Sequence, residues 1–190
     1  MLTLTPEALL RHFYYINVMN EPACPCGKQA ETGFQHLGPL CKECFADVVH
    51  KRCRKAAKDA GWLKPGQKVH ISDDTALKTL FQQVFKGLPV EHVEAAQADV
   101  IIVGKTADDE AEDFLQQLFA GKLEPKQKAM NLFALLTTAE LEKYCELEHI
   151  DGKKPEKSEL RTRLEVLDKR YPGTFFALQK SKDSFQKPSE

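Results

Sequence analysis

Apolar positions fall at helical spacing over most of the chain, and the exceptions are short. Leu9, Leu10, Phe13 and Ile16 share one face of a helix within residues 1–20, with Thr5 as N-cap and Pro6 at its first position. Phe45, Val48, Val49, Cys53, Ala56, Ala57 and Ala60 make a second stripe, in a helix starting near Phe45. Leu77, Leu80, Phe81, Val84 and Phe85 make a third, over about 74–86. Ala111, Phe114, Leu115, Leu118 and Phe119 make a fourth, facing inward over 107–120. Thr137 or Thr138 caps a helix reaching His149, and Ser158 caps another with Leu160, Leu164 and Leu167 in line.

The remaining patterns read as strands and turns. Residues 31–40 form a hairpin around Gly33 and Gly38. Lys68 to Ser72 alternates like a strand, and Val90 to Val93 is a second short one. Asp99 to Gly104 is a continuous apolar run, the pattern of a strand buried on both faces of a parallel sheet. Phe175 to Leu178 reads as an edge strand after the stop at Tyr171-Pro172-Gly173-Thr174, and the polar tail from Lys180 reads as frayed. Pro65-Gly66 marks a boundary, and residues 151–155 a turn. Strand, helix, strand, helix argues for an α/β layer built on a parallel sheet. The resulting organisation is an N-terminal helix (1–20), a ribbon with a basic helix (21–62), an α/β domain with a helical C-terminal part (65–180) and a polar tail (181–190).

Composition narrows the function. Hydrophobic residues make up 42% of the 190 and charged residues 29%, as in ordinary soluble domains. The net charge of −1 excludes a generally basic nucleic-acid binder, so any such role must sit on a local patch. Six cysteines are too few and too unevenly placed for a disulfide scaffold. No apolar run approaches the roughly 20 residues that span a bilayer, and Glu7, Arg11 and His12 interrupt the first apolar stretch as no signal peptide would allow. The expected location is the cytoplasm, with no membrane partner.

Chemistry concentrates between Cys24 and Lys58. Cys24-Pro25-Cys26-Gly27 and Cys41-Lys42-Glu43-Cys44 are two tight pairs, and four thiolates on two turns suit a tetrahedral ion. Clustered cysteine pairs in an intracellular chain read as a metal site. The expectation is a small structural zinc ribbon with Cys24, Cys26, Cys41 and Cys44 as ligands. The first pair is one residue shorter than the common spacing, so His36 or His50 is an alternative for one ligand. Cys53 lies on the apolar stripe and reads as core. Lys51, Arg54, Lys55 and Lys58 lie opposite, with Arg52 at the edge; a positive stripe beside a metal ribbon suits phosphate backbones, while a solvated helix face is the plain alternative.

Open α/β sheets bind ligands beyond the carboxyl ends of their strands. Two loops qualify: Ser72-Asp73-Asp74-Thr75, and the stretch from Gly104 through Asp108 and Asp109 to Glu112. The first has no glycine and two carboxylates, which is the opposite of a phosphate cradle. In the second, Thr106 and Asp109 fit a capping box, and Asp108 or Asp109 could alternatively contact a nucleotide or metal.

These segments together resemble a known family. Cys41-Lys42-Glu43-Cys44-Phe45, the Lys51-Arg52-Cys53-Arg54 helix and Pro65-Gly66-Gln67-Lys68-Val69 resemble the front of the PP-loop tRNA 2-thiolation proteins. Gly104 to Glu112 is similar to their second conserved loop, and Lys169 to Phe175 to their C-terminal Pro-Gly segment. The matches lie in family order. The resemblance implies a reduced parallel-sheet PP-loop (HUP-like) domain behind a zinc ribbon. The family's S-G-G-x-D-S loop is replaced by Ser72-Asp73-Asp74-Thr75, and its catalytic cysteine pair is missing, as is its C-terminal zinc site. Ser72, Asp73, Asp74, Thr75, Gly104, Asp108 and Asp109 then form a vestigial nucleotide loop. Within the family the likeness points to the non-catalytic branch, cytosolic thiouridylase subunit 2, which works as a heterodimer with an active PP-loop thiolase.

Three functions follow. The first is an accessory subunit in wobble-uridine 2-thiolation, binding tRNA through Lys51, Arg52, Arg54, Lys55 and Lys58 together with an active thiolase partner. The second is a minimal ATP-dependent tRNA sulfurtransferase, with Asp73, Asp74, Asp108 and Asp109 around magnesium and Cys53 or Cys145 carrying sulfur. The third is a stand-alone zinc-ribbon nucleic-acid binder.

Overall fold

The computed structural model describes residues 22–61, 63–123, 129–151 and 158–185. The helix expected within 1–20 and most of the turn at 151–155 lie outside them. The chain divides into two compact units, residues 1–46 and 47–190.

The described part of the first unit is a cysteine knuckle, a hairpin and the start of a helix. Strands β1 (Thr32–Phe34) and β2 (Gly38–Leu40) pair antiparallel, with Thr32 opposite Leu40 and Phe34 opposite Gly38. The hairpin lies where the two glycines predicted it, and Gly38 takes a positive φ of 72° at the turn exit. Phe34 stacks on the fully buried Phe45, centroids 5.6 Å apart. Helix α1 (Lys42–Asp59) begins three residues earlier than the apolar stripe suggests, so that Cys44 and Phe45 sit in its first turn.

The second unit carries the rest of α1 and a four-stranded parallel sheet of order β4-β3-β5-β6. The strands are β3 (Lys68–Ile71), β4 (Glu91–His92), β5 (Val100–Val103) and β6 (Ala129–Asn131). β5 is an inner strand, paired with β3 (Ile71 opposite Ile102) and β6 (Val103 opposite Asn131), as its unbroken apolar run requires. Helix α2 (Thr75–Val84) buries Ala76, Leu77, Leu80, Phe81 and Val84. Helix α3 (Ala107–Phe119) buries Ala107, Ala111 and Phe114. Its end differs from expectation: Leu118 is 41% and Phe119 75% exposed. Helices α4 (Thr138–Glu148), α5 (Glu159–Arg170) and α6 (Thr174–Phe185) complete the described fold. β6 has no counterpart in the sequence reading.

The edge strand expected at Phe175–Leu178 is instead the first part of α6. Phe175 packs with Ala107, Ala111 and Leu164 in a small core cluster, with Phe176 and Leu178 at its margin. A short apolar run fits either period, and here the narrow alanine face of α3 accepts a helix. The same helix carries Lys180 to Phe185, expected as frayed tail.

Candidate metal centre and strand-end loops

Four thiols converge in the first unit. The Cys24 N–H donates to the Lys28 carbonyl at 2.9 Å and the Gly27 N–H to the Cys24 carbonyl at 2.8 Å, which curls the knuckle. Gly27 supplies the positive φ of 87° that this turn needs. Cys41 precedes α1 and Cys44 follows within its first turn, so helix geometry sets the second pair. The four Sγ atoms all lie within 4.8 Å of one another. Cys24 and Cys26 are 3.4 Å apart, Cys26 and Cys41 3.6 Å. Cys24 and Cys41 are buried, Cys44 half-buried and Cys26 exposed.

Thiols this close cannot all ionise without an ion to gather the charge. Backbone N–H groups of Cys26 and then Cys41 hold the Cys24 thiol down to about 6. Hydrogen bonding with Cys24, Cys26 and Cys41 pushes Cys44 up to about 12. A tetrahedron of metal–sulfur bonds of about 2.3 Å separates neighbouring sulfurs by about 3.8 Å. Sulfurs this close suit metal coordination by the group.

Neither histidine weighed as a substitute belongs to this group. His36 lies near Phe34, ring centroids 6.1 Å apart. His50 bonds the Tyr144 hydroxyl at 2.9 Å, and Tyr144 in turn donates to Gln83. Cys53 is fully buried and its thiol is pushed up to about 12 by that burial. Cys145 is buried too and pushed up to about 11 for the same reason.

The basic stripe divides. Lys51, Arg54, Lys55 and Lys58 are exposed, with Lys51 paired to Asp47 one turn back at 3.3 Å. Arg52 is otherwise engaged. Its guanidinium donates to Glu140 at 2.6 Å and to the Leu135 carbonyl at 3.4 Å, and the Glu140 side chain is only 1% exposed.

The strand-end loops are satisfied from within the chain. Ser72 donates through both its N–H and its hydroxyl to the Ile102 carbonyl, at 3.0 and 3.2 Å. Asp73 is fully exposed and accepts from Lys78 at 2.6 Å. The Asp74 carboxylate caps α2, accepting the Leu77 N–H at 2.7 Å, while Thr75 opens the helix. Across the sheet, Asn131 Oδ1 accepts the Lys105 N–H at 3.0 Å. Thr106 and Asp109 form the expected capping box, and the Leu136 carbonyl accepts the Ala107 N–H at 2.7 Å. Gly104 is where the Phe133 ring comes closest: a Cβ there would meet it at 2.8 Å. Asp108 is buried, accepts the Thr138 N–H at 2.9 Å and faces Arg161. Arg161, 5% exposed, also bonds Asp109 and Glu112. Sequence reasoning missed both Arg52–Glu140 and the Arg161 cluster.

The architecture matches a solved structure, that of the U34-tRNA thiolase NcsA from Methanococcus maripaludis with its [4Fe-4S] cluster. The TM-score is 0.70 over 90% of this chain and 89% of that one. The chain shares that enzyme's fold. Identity is 15%, so the likeness is one of architecture. No family model matches the sequence. No curated protein matches it either. No helix among the described residues is long and apolar enough to cross a membrane.

Proposed function

We propose that this protein serves tRNA wobble-uridine 2-thiolation as a non-catalytic, tRNA-binding accessory subunit that pairs with an active PP-loop thiolase. A shared fold alone carries no activity, so the site must decide. The observation that carries the reading is the Asp74 carboxylate at the start of α2. A nucleotide-binding helix offers its first N–H groups to phosphate. Here a carboxylate of the chain itself accepts that donor, and Asp73 adds a second negative charge to the same loop. The helix across the sheet is closed in the same manner by Asp109, Asn131 and Leu136.

The sulfurtransferase reading finds less support. A sulfur carrier must be a reachable thiolate. Cys53 and Cys145 are buried and hold their protons more tightly than a free thiol. Asp108 and Asp109, its magnesium ligands, are neutralised by Arg161.

Cys24, Cys26, Cys41 and Cys44 hold one zinc ion in this reading, as a redox-inert staple for the ribbon. Lys51, Arg54, Lys55 and Lys58 supply the phosphate contacts, with Arg52 fixed from behind by Glu140. Titration calorimetry with ATP and magnesium tests the non-catalytic assignment, and no heat of binding is expected at micromolar protein. Saturable ATP binding would return the protein to the enzymes. Affinity purification from the native cell is expected to recover a full-length PP-loop protein together with tRNA. Metal analysis is expected to give one zinc and no iron per chain.

A further inference from the structure

The turn between α5 and α6 presents an aromatic ring and two cations that the reading above leaves unused. Tyr171, the residue after α5, keeps 58% of its surface exposed. The Arg170 guanidinium lies over its ring, 5.5 Å from the centroid. Lys169 and Arg170 occupy the last turn of α5 and are exposed, and neither has a carboxylate partner among the described residues. Three other cations of these two helices are spent: Arg161 on Asp108, Asp109 and Glu112, Arg163 on Glu159, Lys182 on Glu110; Lys180, further along α6, is exposed.

The backbone beneath the ring is held in place. The Tyr171 N–H donates to the Leu167 carbonyl at 2.7 Å, and the Thr174 hydroxyl to the Tyr171 carbonyl at 2.6 Å. Asp168, the nearest carboxylate in sequence, accepts the Gly173 N–H at 3.1 Å. Gly173 has φ 93°, a conformation other residues rarely adopt. Ordering this turn on binding would therefore cost little.

An exposed aromatic on a hydrogen-bonded turn, flanked by cations without a carboxylate partner, has the chemistry of single-stranded nucleic-acid recognition. A base stacks on the ring, and the adjoining phosphates meet the cations. A base inside a duplex has no free face to offer. We infer that Tyr171, with Arg170 and Lys169, forms a stacking site for an unpaired nucleotide of the bound tRNA. This rests on the tRNA-binding reading proposed above and adds a second contact to it.

The test uses the full metal-loaded chain and fluorescence anisotropy at several salt concentrations. The probes are unfractionated tRNA, a single-stranded oligouridylate and a blunt RNA duplex. Tyr171→Ala is expected to weaken tRNA and oligouridylate binding by about tenfold, leaving duplex binding and the salt slope unchanged. Tyr171→Phe should restore affinity, since stacking needs the ring and not the hydroxyl. Arg170→Ala and Lys169→Ala should each lower the salt slope by about 0.7 to 0.9. Thermal melts of all variants should match the wild type, since the side chains are exposed. Unaltered oligouridylate affinity in Tyr171→Ala, or an equal loss on the duplex, would overturn the inference while leaving the functional reading standing. A wild-type protein that binds none of the three probes would remove both.

Discussion

Asp74 occupies a position where most of its worth to the fold comes from one bond. Replacing it with alanine strands the Leu77 N–H at the start of α2 and should cost about 1 kcal/mol, read as a lower urea midpoint at constant slope. His50 is a second residue whose environment makes a testable claim. Burial lowers its pKa below the ordinary value. A histidine depressed in the folded state contributes stability that is complete above the unfolded pKa of about 6.5 and is lost as pH falls toward the folded value. Unfolding midpoints should therefore drop as pH falls below about 6.5, and the drop should shrink in His50→Gln. The caps at Thr106 and Ser158 are legible in the sequence, and that at Thr137 to within one residue, because capping is local chemistry over three residues. It hid Arg52–Glu140, whose partners are 88 residues apart, since a lone arginine on a basic helix looks like every other.

Helix α3 shows the same division at the scale of elements. Its first turn carries Asp108, Asp109 and Glu110, which suit the positive end of the helix dipole, and this is legible in the sequence. That the turn also needs a cation from α5 was not readable, because Arg161 sits beyond a strand and another helix. Arg161→Lys keeps the charge but loses the planar fork that serves Asp108, Asp109 and Glu112 together, and should cost about 2–3 kcal/mol by denaturant titration. Gly104 marks a closer fit. Gly104→Ala would press a methyl into the Phe133 ring and should destabilise by about 1–3 kcal/mol, with Phe133→Leu in the same chain recovering part of the loss. The misread at Phe175–Leu178 has a related origin. Four apolar residues in a row carry no period of their own, and the small side chains of Ala107 and Ala111, far away in sequence, select the helix.

For the molecule as a whole, the two units depend on different forces. Among its described residues the first has a hairpin with three residues per strand and buries only Cys24, Cys41 and Phe45, too little apolar surface to hold the ribbon by burial alone. Metal coordination supplies what its core does not. A strong chelator should erase hydrogen-exchange protection over residues 24–44 while protection over β3, β5 and α2 persists. Equal loss in both regions would mean that the ion stabilises more than the ribbon. The charge follows a similar split. With a net charge of −1 the chain has no overall positive field to attract RNA, so the proposed tRNA binding through Lys51, Arg54, Lys55 and Lys58 should fall steeply with salt and weaken sharply when all four are alanine, leaving the Tyr171 contact in place.

The carboxylate that closes α2 also has a genetic consequence. Aspartate and glycine codons differ by a single A-to-G transition, so the loop at Asp73 and Asp74 stands two base changes from Ser-Gly-Gly. Random mutagenesis under selection for nucleotide-dependent growth would sample those variants early. Their recovery, or their persistent absence, would report whether the rest of the crevice accepts a triphosphate.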